Sequence, residues 1–69
     1  MKISARNQIK GTIKEIKSGV VTAKLTIDIG GGNLLSSVIT MDSIDDLNLK
    51  VGDEVYAIIK STEVMIGKK

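Results

Sequence analysis

Ser4-Ala5-Arg6-Asn7-Gln8 concentrates hydrogen-bonding groups near the start of the sequence and holds its only arginine. In an extended chain alternate side chains share a face, so Ser4 and Arg6 point the same way. A hydroxyl beside a guanidinium is a donor array suited to an oxyanion. Lys60-Ser61-Thr62 repeats the theme with an ammonium and two hydroxyls. Thr40-Met41-Asp42-Ser43 sets a further pair of hydroxyls at an expected helix start. Taken singly, each has a plain reading: Ser4 a surface hydroxyl, Arg6 a solvated cation, Lys60-Ser61 a strand end, Ser43 an N-cap. Taken together, in a chain poor in reactive side chains, they point to an anion site that the rest of the sequence must assemble.

Composition removes several alternatives. The 69 residues contain no His and no Cys. The commonest nucleophile–base pairs are therefore missing, as are disulfides and the usual zinc sites. Asp45-Asp46 is a carboxylate pair by type, but adjacent acids in a first helical turn are dipole partners. Tyr56 is the only aromatic. Single-strand nucleic-acid binding by small barrels leans on base stacking, about 1–3 kcal/mol per base, and that is nearly out of reach here. The net charge of +2 is small but uneven. Lys2, Arg6, Lys10, Lys14, Lys17 and Lys24 crowd the first third, whereas Asp42, Asp45, Asp46, Asp53, Glu54 and Glu63 make the later part acidic. Such asymmetry steers anions to one side of a molecule.

The positioning elements read as short strands. A first strand covers residues 8–17, with Ile9, Ile13 and Ile16 apolar and Gly11 at a bend. Ile16 breaks strict alternation, which calls for a β-bulge. Ser18-Gly19 makes a hairpin into a second strand, 20–29, where Val21, Ala23, Leu25, Ile27 and Ile29 alternate with Thr22, Lys24, Thr26 and Asp28. Gly30-Gly31-Gly32-Asn33 is a second hairpin; the Gly-Lys-Ser/Thr ending of a phosphate loop is absent. A third strand, 34–41, leads to a short helix over 42–47, with Ser43 and Asp46 as an N-capping box. A fourth strand spans 54–60 and a fifth 63–66, before a Gly67-Lys68-Lys69 tail. The expected fold is all-β: a five-stranded OB-like Greek-key barrel with one short helix between strands 3 and 4, in a single domain over residues 1–69. A core this small supplies roughly 3–5 kcal/mol, so an oligomer is expected.

Ser4-Ala5-Arg6-Asn7-Gln8-Ile9-Lys10-Gly11, Ser18-Gly19-Val20-Val21-Thr22-Ala23, Thr40-Met41-Asp42-Ser43 and Ile59-Lys60-Ser61-Thr62-Glu63-Val64-Met65 closely resemble the molbindins, the small molybdate-binding Mop proteins of the TOBE group. The resemblance runs through essentially the whole chain, in order and at matching spacing. It implies an OB-like barrel, a hexamer built as a trimer of dimers, and oxyanion sites between subunits. By position, Ser4, Ala5 (through its backbone amide), Arg6, Lys60 and Ser61 of one chain would face Thr40 and Ser43 of another. A possible second anion site, where three subunits meet, would lie near Gly19 and Val20.

The residues fit that ligand. Molybdate is a tetrahedral dianion that at neutral pH accepts hydrogen bonds and donates none. Hydroxyls, amides, Arg6 and Lys60 supply donors and balance its charge, and amides at the helix start near Ser43 would add a favourable partial charge. Hydrogen phosphate would need an acceptor, and an unmatched buried hydroxyl costs about 1–3 kcal/mol. Tungstate, nearly the same size and charge, should bind as well. The sequence thus points to a non-catalytic cytoplasmic protein that stores or buffers molybdate, with no cofactor, nucleic-acid or membrane partner. The alternatives are an OB-type single-stranded nucleic-acid binder and a structural oligomerisation module without a physiological ligand.

Overall fold

A computed structural model describes all of residues 1–69. Its elements are β1 (Asn7–Ser18), β2 (Thr22–Gly30), β3 (Asn33–Thr40), α1 (Met41–Leu47), β4 (Glu54–Ile59) and a single 3-10 turn, Ser61–Glu63. The clean alternation in β2 becomes a one-sided strand: Ala23, Leu25 and Ile27 are buried while Thr22 and Lys24 face water. β2 turns into β3 through Gly31 and Gly32, whose φ angles of +64° and +77° suit a two-residue type I′ hairpin. Asp28 Oδ1 accepts from the Gly30 amide at 2.9 Å and steadies the turn.

β1 carries the bulge. Ile13 pairs with Ile27 and Glu15 with Thr26, so Lys14 is the extra residue. The inserted residue returns Ile16 to the face of Ile9, Gly11 and Ile13, which explains isoleucines at uneven spacing. Gly11 is required on that face: a Cβ there would lie 2.6 Å from Ile27 Cγ2 and 2.8 Å from the Asp28 carbonyl oxygen.

The four strands lie in the order β3-β2-β1-β4, all neighbours antiparallel. That is a Greek key, with β4 returning beside β1 after the helix. α1 drops Ile44 onto the cluster formed by Ile13, Ala23, Leu25 and Ile27. It ends at Asn48, whose left-handed backbone (φ +50°) lets its amide reach the Asp45 and Ile44 carbonyls. The curled sheet is open between β3 and β4, where an apolar groove of about 340 Å³ runs along both free edges.

The all-β, OB-like fold with a helix between strands 3 and 4 is as expected, with two corrections. The fifth strand does not form. After β4 the chain enters the 3-10 turn, and Val64, Met65 and Ile66 stand in solvent with no ladder partner. Three successive apolar residues carry no inside–outside alternation, so nothing in this stretch selects a face to bury against its own sheet. The helix cap also differs. Thr40, not Ser43, is the N-cap, and no capping box with Asp46 exists, because the helix begins one residue earlier than its sequence pattern indicated.

Candidate functional site

The donors form two clusters. The first lies where β1 begins and β4 ends. Asn7 pairs with Ile59 in the β1–β4 ladder, so Arg6 and Lys60 flank its last pair on the two adjacent strands. Two side-chain bonds hold the arm there: Asn7 Nδ2 donates to the Ile59 carbonyl at 3.1 Å, and Gln8 Nε2 to the Ala5 carbonyl at 3.2 Å. Ala5 is buried, which fixes the backbone between the exposed side chains of Ser4 and Arg6. Lys60 and Ser61 are exposed beside them. Neither Arg6 nor Lys60 has an acidic partner; the one salt bridge in the chain joins Lys10 to Glu54 at 3.4 Å. A guanidinium and an ammonium without counter-charges, next to two free hydroxyls, are groups whose chemistry suits an anion. Asn7 and Gln8 are the residues whose part sequence reasoning missed: Asn7 fastens the donor arm to β4, and Gln8 holds the arm back onto the start of β1. Their amide side chains beside the motif were the available signal.

The second cluster sits at the junction of β3 and α1. Thr40 Oγ1 accepts from the Ser43 amide at 3.0 Å, and the two hydroxyl oxygens are 2.9 Å apart. Whichever hydroxyl donates to the other, one O–H of the pair stays free for an outside acceptor. The helix-start amides are mostly spent: Ser43 N–H goes to Thr40, and Met41 N–H donates to the Val21 carbonyl at 2.8 Å. The positive end of the helix therefore offers less than the sequence promised. Asp42 lies exposed in the first turn, in no hydrogen bond or salt bridge with the donors.

The two clusters are not brought together within one chain. Thr40 pairs with Thr22, and Ser18 with Ala23, so Thr40 lies at the Ser18 end of β1. The Arg6 cluster lies at the Asn7 end. At ~3.3 Å per residue, the length of β1 separates them by on the order of 30 Å, comparable with the 35 Å longest dimension of the molecule. No tetrahedral oxyanion touches both. Gly19 and Val20 are at the Thr40 end, in the β1–β2 hairpin. The Gly19 amide already donates to the Thr22 carbonyl at 2.8 Å, and Val20 is fully open to solvent.

Residues 3–66 match the model of the TOBE domain family. A relative in Haemophilus influenzae, a "Probable molybdenum-pterin-binding protein", is 58% identical over 67 residues, 97% of each chain. The solved structure of MopII from Clostridium pasteurianum superposes with a TM-score of 0.90 at 49% identity, covering 97% of this chain and 100% of that one. The structure of a molybdate binding protein from Sporomusa ovata gives a TM-score of 0.91 at 47% identity, covering 99% and 100%. With the fold and nearly the full length held in common, the chain belongs to the TOBE domain family, within its Mop group of molybdenum-pterin-binding proteins.

Proposed function

We propose that the protein binds molybdate at sites shared between subunits and serves to store or buffer it in the cytoplasm. The observation that carries this reading is the separation of the donor clusters. Each alone is half a shell, and one chain cannot fold them onto a common ligand. A site that pairs the Ser4, Ala5, Arg6, Lys60, Ser61 half of one subunit with the Thr40, Ser43 half of another surrounds a tetrahedral dianion with donors. Arg6 and Lys60 balance its two charges, Thr40 and Ser43 supply the neutral hydroxyl that closes the shell, and nothing in the set accepts a proton. Relatives named for molybdenum and molybdate support the choice of ligand. The site should take tungstate equally, and sulfate more weakly because its tetrahedron is smaller. It binds and releases its cargo without transforming it.

The assembly that supplies both halves is proposed to be a hexamer, a trimer of dimers, in keeping with a core too thin to hold a lone chain. Any second anion held near Gly19 and Val20 would draw on the Val20 amide rather than that of Gly19. Two measurements test the reading. Light scattering on a sizing column should find an oligomer; a sharp monomer peak with native spectra would remove any shared site. Molybdate and tungstate should raise the melting temperature by mass action, and phosphate at equal concentration should not. Equal stabilisation by phosphate would mean that an acceptor such as Asp42 lines the site.

A further inference from the structure

Opposite charges favour one end of the β1–β4 ladder and like charges oppose the other. Lys10 and Glu54 attract across the two strands at 3.4 Å. At the far end the register pairs Asn7 with Ile59, so one more rung would set Arg6 directly opposite Lys60, at about 4.5–5.5 Å between Cα atoms. Like charges facing each other across a ladder destabilise it. Neither cation has an acid to neutralise it. β1 starts at Asn7 and β4 stops at Ile59, so strand pairing ends where the repulsion begins. The one side-chain hydrogen bond that crosses from β1 to β4 lies at this rung: Asn7 Nδ2 donates to the Ile59 carbonyl at 3.1 Å. Asn7 and Ile59 are half-buried while Arg6 and Lys60 are exposed, in step with the alternation of a strand. The bond therefore holds the two strands together without occupying either cation.

We propose that Asn7 is a positioning residue for the anion: its side chain clamps β1 to β4 against the mutual repulsion of Arg6 and Lys60, and so holds the two cations at the spacing of one ligand before the ligand arrives. Asn7 acts through the two cations and not on the anion itself. Without the clamp the strand ends splay, and an anion must draw them together at the expense of its own binding energy. A bound dianion cancels the repulsion, so the clamp matters most in the empty site. The identity of the ligand rests on the molybdate reading; the clamp does not.

Amide hydrogen exchange at the end of β4, Ile58 and Ile59, tests the clamp in the assembled protein without ligand. Asn7→Ala should speed exchange there about 2- to 13-fold, the equivalent of one hydrogen bond, and more so at low salt, where the cations repel harder. In an Arg6→Ala background the same substitution should lose most of that effect, because little repulsion is left to hold. An equal increase in both backgrounds, or none in either, overturns the proposal and leaves Asn7 an ordinary strand-end residue. Arg6→Ala alone keeps the clamp and should slow exchange at Ile59; faster or unchanged exchange would overturn the repulsion on which the clamp depends, whether or not Asn7→Ala folds. Titration calorimetry with molybdate then reads the positioning role. Asn7→Ala should bind about 2- to 13-fold more weakly than the wild type, with the gap narrowing as salt screens the cations. Undiminished affinity would refute that role. A wild type that binds no molybdate would instead sink the ligand assignment, while the exchange rates still decide the clamp.

Discussion

Replacing Thr40 and Ser43 one at a time should separate two jobs performed within one turn of chain. Thr40→Val keeps the shape of the side chain and removes Oγ1, which accepts the Ser43 amide at 3.0 Å and lies 2.9 Å from Ser43 Oγ. Losing an N-cap acceptor costs about 1 kcal/mol, within a range of 0.5–2. Against a core worth roughly 3–5 kcal/mol, that is a sizeable fraction. For a domain of this size it corresponds to a fall of about 4–8 °C in melting temperature. Ser43→Ala leaves the backbone amide bonded to Thr40, so its melting temperature should move by less than about 2 °C. It removes one of the two hydroxyls of the proposed anion-binding pair, worth about 0.5–1.5 kcal/mol, or roughly a 2- to 13-fold weaker molybdate affinity. Thermal melts at fixed protein concentration, paired with calorimetric titration of molybdate, read both quantities. If Ser43→Ala melts as low as Thr40→Val, or if Thr40→Val melts with the wild type, the assignment of cap and donor is wrong.

Arg6→Ala should nearly abolish molybdate binding, since it removes a full charge and a bidentate donor from the anion; titration calorimetry reads the loss, while the melt without ligand should barely move because Arg6 is exposed and unpaired. Gly11→Ala pushes a methyl group to 2.6 Å from Ile27 Cγ2 and 2.8 Å from a backbone oxygen, so urea unfolding should show a loss of about 1–3 kcal/mol. Ile13→Ala empties the most buried side chain of the core, and a cost of about 2–5 kcal/mol approaches the whole stability of one chain. Its far-ultraviolet circular dichroism should report a largely unfolded protein at 37 °C.

Local chemistry made most of the scaffold legible. The alternation in β2 and the paired glycines at 31 and 32 are signals complete within a few residues, and both became the expected strand and hairpin. The uneven isoleucines of β1 announced a bulge, though placed near Ile16 rather than at Lys14, because alternation shows that a residue is extra without showing which one. Thr40 and Ser43 are both good cap residues, and sequence alone had no means to rank them; the choice falls to Thr40 because β3 runs up to it and Met41 begins the helix. The fifth strand failed for a different reason. Strand propensity at 63–66 is local, whereas pairing depends on an edge that its own chain does not bring to it. The donor residues were legible by type. Their division into two groups came only from the family resemblance and not from composition or spacing, since the distance between the groups follows from the registers Asn7 with Ile59 and Thr22 with Thr40. Under the proposed reading, those registers make a complete site a requirement for more than one chain.

The most direct test of that requirement mixes two defective proteins. Arg6→Ala chains lack one half of the proposed site, and Thr40→Ala/Ser43→Ala chains lack the other. Refolded at one to one, a shared site draws each half independently from the mixture. About one site in four then receives both intact halves, although neither protein forms an intact site alone. Tight molybdate binding at about a quarter of the wild-type stoichiometry, in an oligomer verified to be mixed, is the result expected here. No tight binding in that mixed oligomer would contradict the shared site and return Thr40 and Ser43 to an ordinary helix cap.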